Sequence, residues 1–282
     1  MTSTQVRRIV TGAGIAVFVL AYGLLLVTGT TEITPSRDPG APALSLWAAA
    51  IPPLAALVLA ALVAPERPAP QPLAGLPGER LRREAWTLAG AAVLLAAVLP
   101  VAGGLLYLSA KVLFLLIVPV AAFRLIRGRE ARARAIPAPV VWLAPLPAVL
   151  AWFVLTQVGP FTTPFTQEPP DPVTLIAGSL ATLLTASVLE EVFYRAWLQT
   201  RLEVRYGRWP AIVAQALLFA AMHSGRVAAD GVLLGLATIV AFQGVFGLML
   251  GYLWARYRNF YAIVFVHAVT NLVYVPMLLG RA

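Results

Sequence analysis

The chain contains no cysteine among its 282 residues. Disulfide bonds, a thiol nucleophile, thiolate metal ligands and lipidation of its own cysteine are therefore excluded. Charge is also scarce, because only 12% of the residues are Asp, Glu, Lys or Arg, whereas 60% are apolar. A soluble domain of this length needs a much larger polar surface. These proportions predict an integral membrane protein.

Apolar runs recur along the chain, and several exceed the roughly 20 residues that a helix needs to cross about 30 Å of hydrocarbon. They predict an all-α, polytopic transmembrane helix bundle of about 8–9 helices. The third and fourth spans are separated by a turn at Pro100, Gly103 and Gly104, since such residues favour turns. The predicted spans are 9–28, 43–64, 85–103, 105–126, 140–158, 173–197, 209–223, 232–255 and 260–279.

The basic residues set an orientation for these spans. With the N-terminus in the cytoplasm, only Arg37, Lys111, Arg226 and Arg281 fall outside, and every other basic residue except Arg195 falls on the inner side. Cytoplasmic segments of multi-pass proteins carry this excess of Lys and Arg. The sequence therefore predicts a multi-pass protein of the plasma membrane with a cytoplasmic N-terminus.

The net charge of +9 raises the question of nucleic-acid binding. Basic loops that face anionic lipid headgroups explain this charge, and no basic patch is interleaved with aromatic residues. We expect the lipid bilayer and a membrane-associated protein or peptide substrate as partners, and no nucleic acid.

Two carboxylates and two histidines lie within predicted spans, where ionised side chains are costly. Glu190 and Glu191 are the only carboxylates in any predicted span, and His223 and His267 are the only histidines of the chain. A charged side chain at the centre of a membrane helix costs about 2.5–3.5 kcal/mol on insertion scales. Such residues in an apolar chain indicate a functional site.

Their spacing adds detail. Glu191 and Arg195 lie four residues apart and can form an ion pair on one helix face, and His267 and Asn271 also share a face. Counting outward from the turn at Gly207 and Arg208, an antiparallel helix pair brings Glu190 and His223 to nearly the same depth. A buried Glu–His pair can activate a water molecule by acid–base catalysis.

Several catalytic classes are excluded by missing motifs. The chain has no HExxH zinc motif, no GxSxG serine motif and no aspartate within a predicted span. A glutamate with two histidines could still hold a metal ion such as zinc, or it could activate water without one.

Three motifs occur in order on successive apolar segments: Glu190-Glu191-Val192-Phe193-Tyr194-Arg195, Phe219-Ala220-Ala221-Met222-His223 and His267-Ala268-Val269-Thr270-Asn271. These EExxxR, FxxxH and HxxxN patterns resemble the CPBP family of intramembrane proteases. That family includes the CAAX-processing, Rce1-type enzymes and bacterial homologues linked to bacteriocin immunity or maturation. The resemblance covers about residues 173–279.

The resemblance implies a role for each motif residue. Glu190 corresponds to the catalytic glutamate and His223 to the water-activating histidine, while His267 and Asn271 correspond to the oxyanion-stabilising pair. Glu191 and Arg195 match positions that support the site. The family was long described as metal-dependent and is now usually viewed as glutamate-type, so the resemblance favours a site without a metal cofactor.

We therefore expect an intramembrane endopeptidase of the glutamic type, with N-terminal scaffold helices in residues 1–158 and catalytic helices in residues 173–282. Two alternatives stay open. A proton-coupled transporter would also keep Glu and His in the membrane, and a catalytically idle immunity or partner-binding protein could keep the motifs. The sequence does not identify the substrate, its cleavage site or any prenyl group on it.

Overall fold

The computed structural model describes residues 3–34, 43–64, 69–128, 134–136, 140–162, 170–227 and 231–272. The described residues form an all-α bundle, as predicted, with nine helices and one pair of two-residue antiparallel strands, β1 (Glu32–Ile33) and β2 (Leu44–Ser45). The helices are α1 (Ser3–Val27), α2 (Leu46–Leu62), α3 (Gly78–Val98), α4 (Gly104–Arg127), α5 (Leu146–Val158), α6 (Pro172–Tyr206), α7 (Arg208–Ala221), α8 (Val232–Tyr257) and α9 (Phe260–Asn271).

Four of these helices, α1, α4, α6 and α8, are long and apolar enough to cross a membrane. The other apolar helices of the described residues are shorter, at 10–17 residues for α2, α5, α7 and α9. The chain is thus an integral, multi-pass membrane protein whose bundle mixes full-length and short helices.

Helix bounds differ from the predicted spans where polar residues continue a helix. The third span was predicted from residue 85, but α3 begins at Gly78, and the sixth was predicted to end at 197, whereas α6 continues to Tyr206. Hydropathy detects the apolar part of a helix and not its polar ends. The last predicted span ran to 279, but α9 ends at Asn271, and residues 273–279 lie outside the described part of the chain.

Two tight turns use glycine where the backbone enters the left-handed region. The predicted turn between α3 and α4 is present, and Gly104 has φ of 51° at its end. Gly207 has φ of 90° and is the single residue between α6 and α7. A side chain with a Cβ atom would be strained at such φ values. The Gly207 turn makes α6 and α7 antiparallel neighbours, as the depth argument requires.

Helix α8 is the centre of the bundle. In its most apolar stretch 61% of the residues are buried, against 11–22% in α1, α4 and α6. Its glycines allow close packing: a Cβ atom on Gly247 would lie 3.2 Å from Cα of Ala216 on α7. Small residues at helix contacts let membrane helices approach closely. Close packing against α8 fixes the position of α7, and α7 in turn positions the segment that follows Ala221.

The ends of α2, α3, α6 and α8 meet at one end of the bundle, and they carry many of the arginines predicted to lie on one side. Glu84 accepts hydrogen bonds from Arg80 at 2.9 Å and from Arg201 at 2.7 Å, and all three are buried. Glu203 pairs with Arg258 in the same way. We call this end, with its buried pairs, the basic end.

Replacement of Glu84 by alanine is expected to destabilise the protein by about 3–5 kcal/mol, because it leaves two buried guanidinium groups without their carboxylate. The Tm of thermal unfolding in detergent micelles measures this loss of stability. Glu79 on the same helix is the matched control, since it is exposed to solvent. A hydrogen bond from Arg82, which is also exposed, lowers the pKa of Glu79. Glu79→Ala is expected to leave the Tm unchanged. Equal effects of the two substitutions would contradict the role of the buried pair.

Candidate active site

The backbone of α6 is unusual around its glutamates. Leu189–Glu191 form a short α-helical turn between two stretches of wider, π-helical turns, Leu183–Val188 and Val192–Gln199. Such turns are rare and occur frequently at functional sites. They change the direction in which successive side chains leave the helix. Both glutamates are buried at this point, so each needs a partner.

Glu191 forms two contacts through the same oxygen. Its Oε1 accepts a hydrogen bond from Nη1 of Arg195 at 2.7 Å, which is the ion pair that the spacing predicted. The same Oε1 lies 2.6 Å from Nδ1 of His267 on α9. An ionised carboxylate can only accept a hydrogen bond, so Nδ1 carries a proton and donates it. Glu191 therefore orients a histidine on a neighbouring helix in addition to pairing within α6.

Arg195 is fully buried within this arrangement. Its guanidinium carbon lies 4.4 Å from the ring centroid of Phe219, which is a cation–π distance. Among the described residues its Nε and Nη2 find no hydrogen-bond partner. The aromatic face of Phe219 and the Glu191 carboxylate together compensate for the buried charge.

Glu190 points to different partners. Its Oε1 lies 2.5 Å from Nζ of Lys111 on α4, and both side chains are buried. Its Oε2 lies 3.8 Å from Nε2 of His267. The Phe219 ring contacts both His267 and His223, and so connects the segment after α7 to this group. Glu190 thus lies where α4, α6 and α9 converge.

Lys111 corrects the sequence analysis, which assigned it to the outside of the membrane. The structure buries it in α4 against Glu190. Counting of basic residues treats every lysine as a loop residue, whereas this one has an anionic partner inside the bundle. The sequence did contain a signal for this burial, because Lys111 is the only lysine of the chain and lies in an otherwise apolar segment. The division into residues 1–158 and 173–282 stays a prediction, and this ion pair crosses it.

His223 does not lie within a helix, contrary to the predicted span 209–223. Helix α7 ends at Ala221, and the His223 backbone N–H donates to the carbonyl oxygen of Ala220 at 2.9 Å in the turn that follows. Nδ1 of the ring lies 2.9 Å from the carbonyl oxygen of Phe219. A carbonyl oxygen can only accept, so Nδ1 of His223 carries a proton and donates it.

Asn271 is the last residue of α9, one turn beyond His267. Its Nδ2 donates to the carbonyl oxygen of Ala186 at 3.2 Å and to Oγ of Ser187 at 3.4 Å. Both acceptors lie on α6 just before the glutamates. These are long hydrogen bonds, so another acceptor can replace them at low cost.

Aromatic rings enclose the polar groups. The Phe219 ring contacts His223 and His267, with centroid distances of 5.1 and 5.7 Å, and Tyr194 at 5.3 Å. Phe246 on α8 covers the other side of His267 at 5.4 Å. Such walls exclude water and strengthen electrostatic interactions inside the site. Phe219, which the sequence motif includes, is therefore a packing residue at the centre of the site.

The described residues include no group of three or more His, Asp or Glu side chains with the geometry of a metal site. Among the candidate ligands of the site, one oxygen of Glu190 is paired with the Lys111 ammonium. A cation next to that oxygen opposes the binding of a metal ion there. A metal-independent reaction is implied by the sequence resemblance and stays a prediction.

Comparison with known proteins gives one family. Residues 172–273 match the model of a family described as type II CAAX prenyl endopeptidase Rce1-like. The matched range contains all three motifs and agrees with the resemblance found in the sequence. No curated protein and no solved structure matches the chain significantly.

The contact between His267 and Glu191 can be tested by NMR of a sample labelled with ¹⁵N-histidine, since the chain has only two histidines. We expect a strongly deshielded Nδ1 proton for His267 that disappears in Glu191→Gln, because the charged acceptor is lost. Glu203→Gln is the control, as it removes a buried carboxylate of α6 away from the site. An unchanged signal in Glu191→Gln would contradict the geometry.

Proposed function

Taking residues 172–273 as an Rce1-like domain in a multi-pass membrane protein, we propose that this chain is an intramembrane endopeptidase of the glutamic type. It would hydrolyse a peptide bond of a membrane-embedded or membrane-proximal substrate. The observation that carries the proposal is an arrangement in which buried Glu190 faces His267, His267 is oriented by Glu191, and the half-buried His223 contacts the same Phe219 ring as His267.

In the proposed reaction, Glu190 acts as the general base through Oε2, the oxygen that is not paired with Lys111. A water molecule oriented by His223 attacks the peptide carbonyl carbon and gives one proton to Glu190. That proton then passes through His223 to the amine nitrogen as the C–N bond breaks, so the site returns to its starting state. General acid–base catalysis of this kind accounts for about 10²–10⁴-fold in rate.

The developing oxyanion would be stabilised by Nε2 of His267 and Nδ2 of Asn271. His267 donates through Nδ1 to Glu191, so donation from Nε2 requires a doubly protonated ring. The Glu191 carboxylate lies 2.6 Å from Nδ1 and Oε2 of Glu190 lies 3.8 Å from Nε2, so each ring nitrogen faces a carboxylate oxygen. Asn271 would exchange its long bonds to α6 for one to the oxyanion. One such donor in a dry site contributes about 3–4 kcal/mol.

The alternative of a proton-coupled transporter receives one supporting observation. The sequence shows no polar path to either face, but the structure contains a buried stripe on α6, formed by Glu191, Arg195, Gln199 and Glu203, that leads toward the basic end. Within the stripe Arg195 donates to Glu191 and Gln199 donates to Glu203, and no direct hydrogen bond joins the two pairs among the described residues. The endopeptidase reading therefore remains the better supported one.

Loss of Glu190 is expected to abolish proteolysis. We expect Glu190→Gln and His223→Ala to lower the cleavage rate by about 10²–10⁴-fold and Asn271→Ala by about 10²–10³-fold. Comparative proteomics of membrane-protein termini in cells with the wild-type chain or Glu190→Gln identifies the substrate, and its purified form gives the rates. Glu79→Gln, an exposed glutamate, is the control. Wild-type cleavage by Glu190→Gln would refute the proposal.

If Glu190→Gln instead abolished proton flux in reconstituted vesicles without changing any protein terminus, the transporter would be the correct function. If cellular function survived the loss of Glu190, His223, His267 and Asn271 together, the chain would be a catalytically idle, partner-binding protein.

We further propose that the basic end faces the cytoplasm, in line with the excess of arginine there. Glu190 lies sixteen residues from the end of α6 at Tyr206, or about 24 Å along the helix axis, whereas Lys111 lies seven residues, or about 10 Å, from the opposite end at Gly104. The scissile bond would then approach from the non-cytoplasmic half of the membrane.

The absence of cysteine allows a direct test of this orientation. Single cysteines are introduced at Arg8 near the basic end and at Val101, whose side chain is 83% exposed in the turn between α3 and α4. In intact cells a membrane-impermeant maleimide should label Val101→Cys, and it should label Arg8→Cys only after permeabilisation. The reverse pattern would show that the basic end faces outward.

A further inference from the structure

Lys111 belongs to none of the three motifs and lies outside the matched residues 172–273. It is nevertheless buried, with its Nζ 2.5 Å from Oε1 of Glu190. Its ammonium also lies 5.3 Å from the ring centroid of Tyr107, one turn earlier on α4. A π-helical turn, Leu113–Ile117, follows directly after Val112. The helix is thus locally adapted at the residue that reaches the site.

Each glutamate of the site has one Lys or Arg cation within hydrogen-bond distance: Arg195 is paired with Glu191 and Lys111 with Glu190. Without Lys111, Glu190 would have no cation within that distance, and a buried uncompensated carboxylate becomes neutral by binding a proton. A protonated Glu190 could not accept a proton from water. Lys111 therefore supplies the charge beside Glu190 that opposes this protonation.

The contact also fixes the direction of the Glu190 carboxylate. One oxygen is held by Lys111 from α4, and the other is turned toward His267 on α9. A carboxylate held at one oxygen loses rotational freedom, so the remaining oxygen keeps a defined direction toward the reaction site.

We propose that Lys111 is a positioning residue for this site: its ammonium holds Glu190 as an oriented carboxylate with Oε2 available to the water molecule. This rests on the proposed endopeptidase function. It makes the N-terminal helices, through α4, part of the catalytic apparatus. The opposite role, an inhibitory lock on Glu190, predicts a gain of activity when Lys111 is removed.

The first arm of the test measures stability and needs no substrate. Lys111→Met should lower the Tm by about 10 °C, because it leaves a buried carboxylate without its cation. The double variant Lys111→Met/Glu190→Gln removes both charges and should recover at least half of that loss. Arg124→Met, on an exposed arginine of the same helix, is the matched control and should leave the Tm unchanged. A double variant no more stable than Lys111→Met would overturn the proposed pairing.

The second arm measures cleavage as a function of pH. Lys111→Met should lower kcat on the order of 100-fold with KM within about twofold, and its activity should recover in part as the pH is raised, because Glu190 must ionise without its cation. Lys111→Arg should restore the wild-type pH profile. The other ionisable groups around Glu190 are Tyr107 of α4, Glu191, Tyr194 and Arg195 of α6, His223, and His267 of α9, and all are unchanged in these variants.

The outcomes separate the two proposals. If Glu190→Gln abolishes cleavage but Lys111→Met cleaves at the wild-type rate or faster, the positioning role is refuted and the endopeptidase stands. A loss in Lys111→Met that is equal at every pH and not restored by Lys111→Arg also refutes it, since that is the behaviour of a packing residue. If Glu190→Gln cleaves normally, the endopeptidase assignment fails instead.

Discussion

The requirement that a charge inside a membrane bundle has a countercharge organises this structure. Helix α6 carries most of the buried charges, and four of them contact partners on different elements: Glu190 on α4, Glu191 on α9, Arg201 on α3 and Glu203 in the turn after α8. The fifth, Arg195, pairs with Glu191 within α6. Rotation of α6 by one residue would leave several of these charges unpaired, and each unpaired buried charge costs several kcal/mol. The ion pairs therefore fix both the rotation of α6 and the identity of its neighbours. The geometry of the proposed active site follows from this constraint.

Much of the architecture could be predicted from sequence because the length of an apolar run reflects membrane thickness. The nine segments, the turn before Gly104 and the pair of Glu191 with Arg195 all depend on local spacing along the chain. Helix ends were predicted less well, since hydropathy falls at Arg195–Tyr206 while the backbone remains helical. The end of α7 before His223 depends on packing against α3, where Ser224 donates to the carbonyl oxygen of Ala96, and no local signal records that contact.

Residue spacing along the chain could not predict the contacts between distant helices. The link from Glu191 to His267 spans 76 residues and that from Lys111 to Glu190 spans 79. In each contact, the local sequence pattern around one residue does not indicate the other residue. The motifs alone divide these residues into a chemical set and a supporting ion pair, whereas the structure joins the two sets through a single oxygen of Glu191. The supporting residues are thus in direct contact with the chemistry proposed for His267.

The shortness of α7 and α9 has a consequence for the surrounding lipid. With 14 and 12 residues they are about 21 and 18 Å long, well below the hydrocarbon thickness of about 30 Å. A helix shorter than the hydrocarbon layer is accommodated by thinning of the adjacent bilayer, by flanking side chains that snorkel or by oligomerisation. An intact transmembrane helix protects every peptide carbonyl by an internal hydrogen bond, so a protein that thins the membrane next to His223 and Asn271 would favour substrates whose helix ends or unwinds at that depth. Selection among membrane proteins would then depend on where a substrate helix loses its regular structure as much as on its side chains.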